Sequence, residues 1–569
     1  MCQRETQWFS AKPEIDLTRS ERQYLIRDGG TLTPNETVRM AEKETVEMSA
    51  ANPAPDARGA ERVDVLIVGA GLSGIGAAYH LQTECPSKSY AILEGRNASG
   101  GTWDLFRYPG VRSDSDMYTL GYRFRPWREA KAIADGSAIL KYLRDTAQES
   151  GIDRRIRYSH QVTRASWSSA DALWTVEATG PEGKPVHFVC NFLYMCSGYY
   201  DYSGGYMPGW PGMDRYRGRI VHPQKWPEDL DYNGKRVVVI GSGATAVTLV
   251  PALAITAAHV TMLQRSPTYI VARPSEDVIA NWLRKFLPAK VAYAIVRWKN
   301  VLLGMYFYNL ARRKPDATKK GILTLVQKEL GPEYDIEKHF SPRYNPWDQR
   351  LCLVPDSDLF AAMRSGKASI TTDEIGSFTE KGLLLRSGEE LEADIIVTAT
   401  GLKLKMLGGM EVLIDGAPVD LAHVLSYKGM MYSDIPNLAS AFGYTNASWT
   451  LKADLTAEYI CRMLNYMDDR GFDCCTPRRR DPDIVEEPMV NFTSGYFQRS
   501  IANLPKQGSK KPWKLYQNYA LDLLTLRFGK VDDGTMEFSR LNGKKRADRN
   551  AGETAVGAAV SSVSSAAGK

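Results

Sequence analysis

Two six-residue stretches of this chain call for glycine on chemical grounds. The first is Gly69-Ala-Gly71-Leu-Ser-Gly74. Its first glycine permits a tight turn, its second lets the backbone approach a pyrophosphate, and its third lets a helix and strand pack closely. The second is Gly241-Ser-Gly243-Ala-Thr-Ala246, with alanine in the third place, a permitted variant. Twenty residues after Gly74 stands Glu94, where a carboxylate accepts hydrogen bonds from a ribose 2′-hydroxyl and repels a 2′-phosphate. Nineteen residues after Ala246 stands Arg265, whose planar fork suits a 2′-phosphate. The first site therefore fits FAD or NAD and the second NADPH. Together they imply electron transfer between a nicotinamide and a flavin.

A glycine motif alone is weak, so the neighbouring elements decide. VDVLIV, from Val63, is a β-branched run suited to a buried parallel strand, and IGAAYHL after Gly74 reads as a helix. SYAIL leads into Glu94, RVVVI precedes Gly241, and HVTMLQ precedes Arg265. This is an α/β pattern with two Rossmann-like dinucleotide-binding domains. Between them lies YRGRIVHPQKWP, Tyr216 to Pro227, with Gly218, His222 and Trp226 at four-residue steps. One helix face could show all three, but Pro223 and Pro227 favour a mostly extended segment joining the domains.

With 569 residues the chain is too long for one ordinary core. A formal charge of +6 is mild at this length and gives no reason to expect nucleic acid. The eight cysteines include no CxxC pair, and the seven histidines form no HExxH motif, so no metal site is expected and a disulfide reductase is disfavoured. No run of about 18 apolar residues occurs and the N-terminus lacks a secretory apolar core, so the expected location is cytoplasmic. Residues 1–60 are polar and read as an appendage or as an extension upstream of Met48. Residues 541–569 read as a disordered tail.

Three stretches resemble class B flavin monooxygenases. GGTWDLFRYPGVRSDSDMY is similar to the flavin-side loop of that class, and YRGRIVHPQKWP to the Baeyer–Villiger fingerprint FxGxxxHxxxWP, with Tyr216 in place of the usual phenylalanine. YNPWDQRLC resembles the segment carrying the family's active-site arginine, here Arg350. ADIIVTATG, ending at Gly401, resembles the late ATG motif of two-dinucleotide flavoproteins. GYTNASWTLKADL and LPKQGSKKPWKLYQNYALD look closest to the ethionamide-activating branch. The resemblance covers roughly Val63 to Phe528.

The resemblance implies a discontinuous FAD domain of about 61–205 and 390–540, with an NADPH domain, 206–389, inserted in it. A helical insertion at about 275–345 would interrupt the latter. Arginines and lysines interleave with aromatics there, which fits either contact with a membrane surface or an ordinary helix pair with a solvated basic face. The implied activity is Baeyer–Villiger oxygenation of ketones to esters or lactones by O₂ through a C4a-peroxyflavin, with sulfoxidation of sulfides or thioamides besides. A heteroatom-only monooxygenase and a non-oxygenating nucleotide sensor are the alternatives. By the same carry-over Arg350 and Asp114 are catalytic candidates. Gly69, Gly71, Gly74, Glu94, Gly101, Thr102, Trp103, Asp114, Tyr118, Gly241, Gly243, Ala246, Arg265 and Gly401 would hold cofactor. Tyr216, Gly218, His222, Trp226 and Pro227 would couple the domains. Gln349 stands where many relatives carry a lysine for the 2′-phosphate, which relaxes the expected preference for NADPH.

Overall fold

The computed structural model describes residues 60–541 except Asn491; the N-terminal stretch with Met48, and the tail beyond Leu541, lie outside the described residues. Along the chain come β1 Glu61–Val68, β2 Tyr90–Leu93, β3 Ile156–Arg157, β4 Gln161–Ser168, β5 Leu173–Thr179 and β6 Pro185–Met195. Next are β7 Arg219–Val221, β8 Arg236–Ile240, β9 His259–Gln264, β10 Ile270–Arg273, β11 Cys352–Pro355, β12 Ala368–Thr372 and β13 Ile395–Thr398. Further along come β14 Glu411–Ile414, β15 Ala417–Pro418 and β16 Leu438–Ser440. The helices that position the site are α1 Leu72–Glu84, α2 Gly136–Glu149 and α3 Ala244–Leu253. They are followed by α4 Val278–Phe286, α5 Ala289–Arg313, α6 Pro315–Leu330, α7 Ile336–Phe340 and α8 Trp449–Arg470.

A nine-stranded sheet runs β15-β14-β4-β5-β6-β1-β2-β3, with β16 also paired to β6. Its β1 is parallel to both β2 and β6. Both faces of β1 are buried. Val65 and Ile67 enter a core with residues of α1 and α8, while Leu66 and Val68 enter the core opposite. That explains why its sequence is continuously apolar rather than alternating.

The second sheet has five parallel strands, β12-β9-β8-β13-β7. Val237 and Val239 pack with α3, and Val238 and Ile240 fill the other face. Strand β13 corrects one expected boundary. A cut at 390 would place Ile395–Thr398 with the first sheet, but it lies between β8 and β7 in the second. Parallel pairing needs a distant crossover, so this membership has no local signal.

The chain crosses between the sheets at 196–218 and again at 399–410. The crossings bind one another. Tyr206 N–H donates to Gly401 O at 2.9 Å, Asp201 N–H to Lys403 O at 2.9 Å, and Lys405 N–H to Tyr199 O at 2.9 Å. Thr400 Oγ1 adds a bond to Tyr206 O at 2.5 Å.

Helices α4 to α7 stand between β10 and β11. Pro315 ends the α5 direction and opens α6 at its first turn, where its missing N–H costs nothing. Buried Arg297 of α5 fixes the insertion to the first sheet's helices. It donates to the carbonyls of Tyr118 and Gly121, each at 2.8 Å, and meets Asp454 of α8 at 3.5 Å.

Candidate active site

At the first glycine turn Gly69 has φ +107°, and a Cβ there would lie 2.5 Å from Cys196 O. A Cβ on Gly74 would lie 1.9 Å from Gly69 O, so strand and helix meet only because both are glycine. Gly71 instead faces Gly101, whose Cα would stand 3.4 Å from an added Cβ. Two bare backbones facing one another suit a pyrophosphate. α1 starts behind them with no side-chain cap and no acid in its first turn, leaving its N–H groups for an anion. Glu94, 5% exposed, accepts from Ala70 N–H at 2.8 Å and Arg96 N–H at 3.0 Å. Burial raises its pKa against the pull of those two donors. A carboxylate has about four acceptor sites, so room remains for ribose hydroxyls.

The second turn repeats the geometry. Gly241 has φ +133° and a Cβ there would meet Ala399 O at 2.4 Å, while Gly243 has open space beside it. Ala246 is fully buried against the second core. α3 likewise starts uncapped and without an acid. Arg265 follows β9, exposed, and engages no ion pair or hydrogen bond among the described residues.

Arg350 and Asp114, 236 residues apart, form a two-pronged ion pair: Nε to Oδ2 at 2.9 Å and Nη2 to Oδ1 at 3.1 Å. The Asp114 charge outweighs burial and raises the guanidinium pKa beyond its already high value, so the cation is permanent. Tyr199, Tyr200 and Tyr496 face it, and burial pushes all three hydroxyls upward. Tyr199 also stacks on Trp449 with centroids 5.2 Å apart.

The stretch Tyr216 to Pro227 is extended with one short turn at Pro223–Lys225, and its middle is strand β7. Tyr216 is buried and its hydroxyl donates to Ala393 O at 3.0 Å. A Cβ on Gly218 would come within 2.3 Å of that hydroxyl. His222 Nδ1 accepts from Gln224 N–H at 3.2 Å, and its Nε2 lies 3.3 Å from Gly401 O. Burial lowers its pKa, with Gly401 opposing. With Nδ1 an acceptor, Nε2 carries the proton and donates to Gly401. Trp226 packs edge-on to Tyr232 beside the second core, with Pro227 following.

The model for flavin-binding monooxygenase-like proteins matches residues 129–415, and that for an NAD(P)-binding Rossmann-like domain matches 67–131. The chain is 57% identical over 481 residues to the FAD-containing monooxygenase EthA of Mycobacterium tuberculosis, covering 84% of this chain and 98% of that protein. It belongs to the flavin-binding monooxygenase-like family. EthA of Mycolicibacterium smegmatis is 54% identical, again covering 84% of this chain and 98% of that one. In fold the chain is similar to a steroid monooxygenase solved with NADP, TM-score 0.68 at 20% identity, covering 84% of this chain and all of that one. It is similar also to cyclohexanone monooxygenase, TM-score 0.67 at 20% identity with the same shares covered. The α/β reading with two Rossmann-like domains is borne out, and the protein is a flavin monooxygenase.

Within this flavin monooxygenase, the structure brings Gly69, Gly71, Gly74, Glu94 and Gly101 together at one turn and pairs Asp114 with Arg350. Thr102 and Trp103 open a short helix directly after Gly101. Gly401, φ +107°, lies against His222 and 3.3 Å, measured from an added Cβ, from Arg499 Nη2. Tyr118 stands apart in kind: it is buried with its ring 5.7 Å from Tyr293 of the inserted helices. Tyr199, Tyr200 and Tyr496 were not singled out from sequence. The doubled tyrosine after Gly198 was the available signal, but nothing local says that it faces a cation.

Proposed function

We propose that this flavin monooxygenase is a Baeyer–Villiger enzyme using FAD and NADPH, which inserts one oxygen atom of O₂ into ketones to give esters or lactones and also sulfoxidises sulfides or thioamides. The other oxygen atom leaves as water, and NADPH supplies the two electrons. FAD, when bound, supplies oxygen activation. Gly69, Gly71, Gly74, Gly101 and Thr102 would hold its phosphates and Glu94 its ribose, while Gly241, Gly243, Ala246 and Arg265 would hold NADPH.

The observation carrying the reading is the two-pronged Asp114–Arg350 pair. Oxygen insertion builds negative charge on the substrate carbonyl oxygen, and a fixed cation oriented in advance favours that state over the ground state. Asp114 positions Arg350 without neutralising its free N–H groups. Neutral His222 holds the crossing at Gly401 and removes no proton from a ketone, which the reaction does not require. The inserted helices add a peripheral contact with a membrane surface.

Product analysis with a linear ketone and a thioether tests the proposal. Ester formed in step with ketone-dependent NADPH consumption is the expected result. Sulfoxide without ester would make the enzyme heteroatom-only, and NADPH consumed solely to hydrogen peroxide would overturn oxygenation. For the cofactor, Arg265→Ala should weaken NADPH by about 1.5–3 kcal/mol, the value of a charge-assisted hydrogen bond, and leave NADH nearly unchanged. Steady-state KM values for both cofactors check this, and parallel losses would refute the 2′-phosphate role.

A further inference from the structure

We infer that helices α4 and α5 form a docking face for an anionic lipid bilayer, a proposal that rests on the membrane contact just stated and is independent of the oxygenation chemistry. On α4, Val278, Ile279, Trp282 and Phe286 share one side, and Trp282 and Phe286 are 58% and 69% exposed. On α5, Val291, Ile295, Trp298, Leu302 and Tyr306 fall within an arc of about 80° and are all exposed. The buried residues Ala292, Tyr293, Val296, Arg297 and Val301 occupy the remaining faces. Trp298 continues the patch onto Tyr519, ring centroids 5.9 Å apart, and that segment goes on to expose Leu524 and Phe528. An apolar surface of this extent is not a random scatter of exposed side chains.

Charge selects the occupant. Residues 278–314 contain eight Lys and Arg and no Asp or Glu. Arg284 is spent on the carbonyls of Arg128 and Glu129, Arg297 on buried carbonyls and Asp454, Lys299 on Asp277, and Arg312 on Asp348. Lys285, Lys290, Arg313 and Lys314 remain exposed with no ion pair among the described residues. A second copy would set this basic face against itself, which like charge opposes. Anionic headgroups meet it with opposite charge, and the Trp, Tyr and Phe rings suit the headgroup boundary. No helix among the described residues is long and apolar enough to cross a membrane, so the helices would lie on the surface rather than span it.

The test is co-sedimentation of the full chain with phosphatidylglycerol or phosphatidylcholine vesicles at low and high salt. Binding to phosphatidylglycerol that falls with salt is expected. The double variant Trp282→Glu/Phe286→Glu should lower the bound-to-free ratio about tenfold or more. Lys285→Glu/Lys290→Glu should lower it and flatten the salt dependence. Melting and turnover of a water-soluble ketone should be unchanged in both, which separates this proposal from the proposed reaction. Equal binding to both lipids, phosphatidylglycerol binding undiminished in both variants, or a dimer that the Trp282→Glu/Phe286→Glu variant dissolves would each overturn it.

Discussion

Replacing Arg350 by alanine is expected to lower the rate of oxygen transfer to a ketone by about 10²–10³, the usual consequence of removing one preorganised charge-stabilising donor. Reduction of bound FAD by NADPH should persist, because the glycine turns and Arg265 are untouched. Stopped-flow absorbance resolves the two half-reactions, and product yield per NADPH measures the uncoupling. Oxygen transfer at the original rate in the variant would refute the role. Asp114→Asn tests positioning separately. It removes the charge that raises the Arg350 pKa but leaves one acceptor for the guanidinium, so a smaller loss is expected.

Removing the Asp454 carboxylate should destabilise the fold by about 3–5 kcal/mol, since it leaves buried cations uncompensated. Its Oδ1 stands 3.6 Å from His80 Nε2, and its Oδ2 stands 3.5 Å from Arg297 Nη2 and accepts from Arg123 N–H at 3.1 Å. His80 also meets Glu84 at 2.7 Å. Burial alone would lower the imidazole pKa, but Asp454 and Glu84 outweigh it and raise it to about 9 from 6.5. Because the folded value lies above the unfolded one, the contribution is complete below about pH 6.5 and is lost as pH rises through about 9. Urea denaturation of Asp454→Ala, and of the parent between pH 6 and 9.5, reads both effects. His80→Gln should flatten the slope in that window, and an unchanged slope would exclude His80 as its source.

The parts legible in sequence are those with strict local geometry. Gly69, Gly74 and Gly241 are forced by backbone contacts closer than any side chain allows, so spacing alone revealed them. Glu94 and Arg265 follow because each ends the strand after its own glycine turn. Arg350 and Asp114 required the family resemblance, since 236 residues separate them. The placement of β13 in the second sheet, and the meeting of His80 with Asp454, depend on long-range pairing that no nearby residue encodes. The inserted helices were legible as helices, but their covered face was not, for a different reason. Apolar residues occur all round α5, so the sequence announces a helix without saying which side the protein covers; the structure decides it, with Arg297 buried and Trp298, the next residue, exposed.

The two crossings between the sheets, 196–218 and 399–410, are laced together from Tyr199–Lys405 to Tyr206–Gly401. Two tethers joined along their length cannot slide past one another. The two crossings therefore act as one strap rather than as two independent links, beside the anchor that Arg297 makes through the inserted helices. His222 holds that strap at Gly401, so a His222→Ala variant tests whether the fingerprint couples the two sheets.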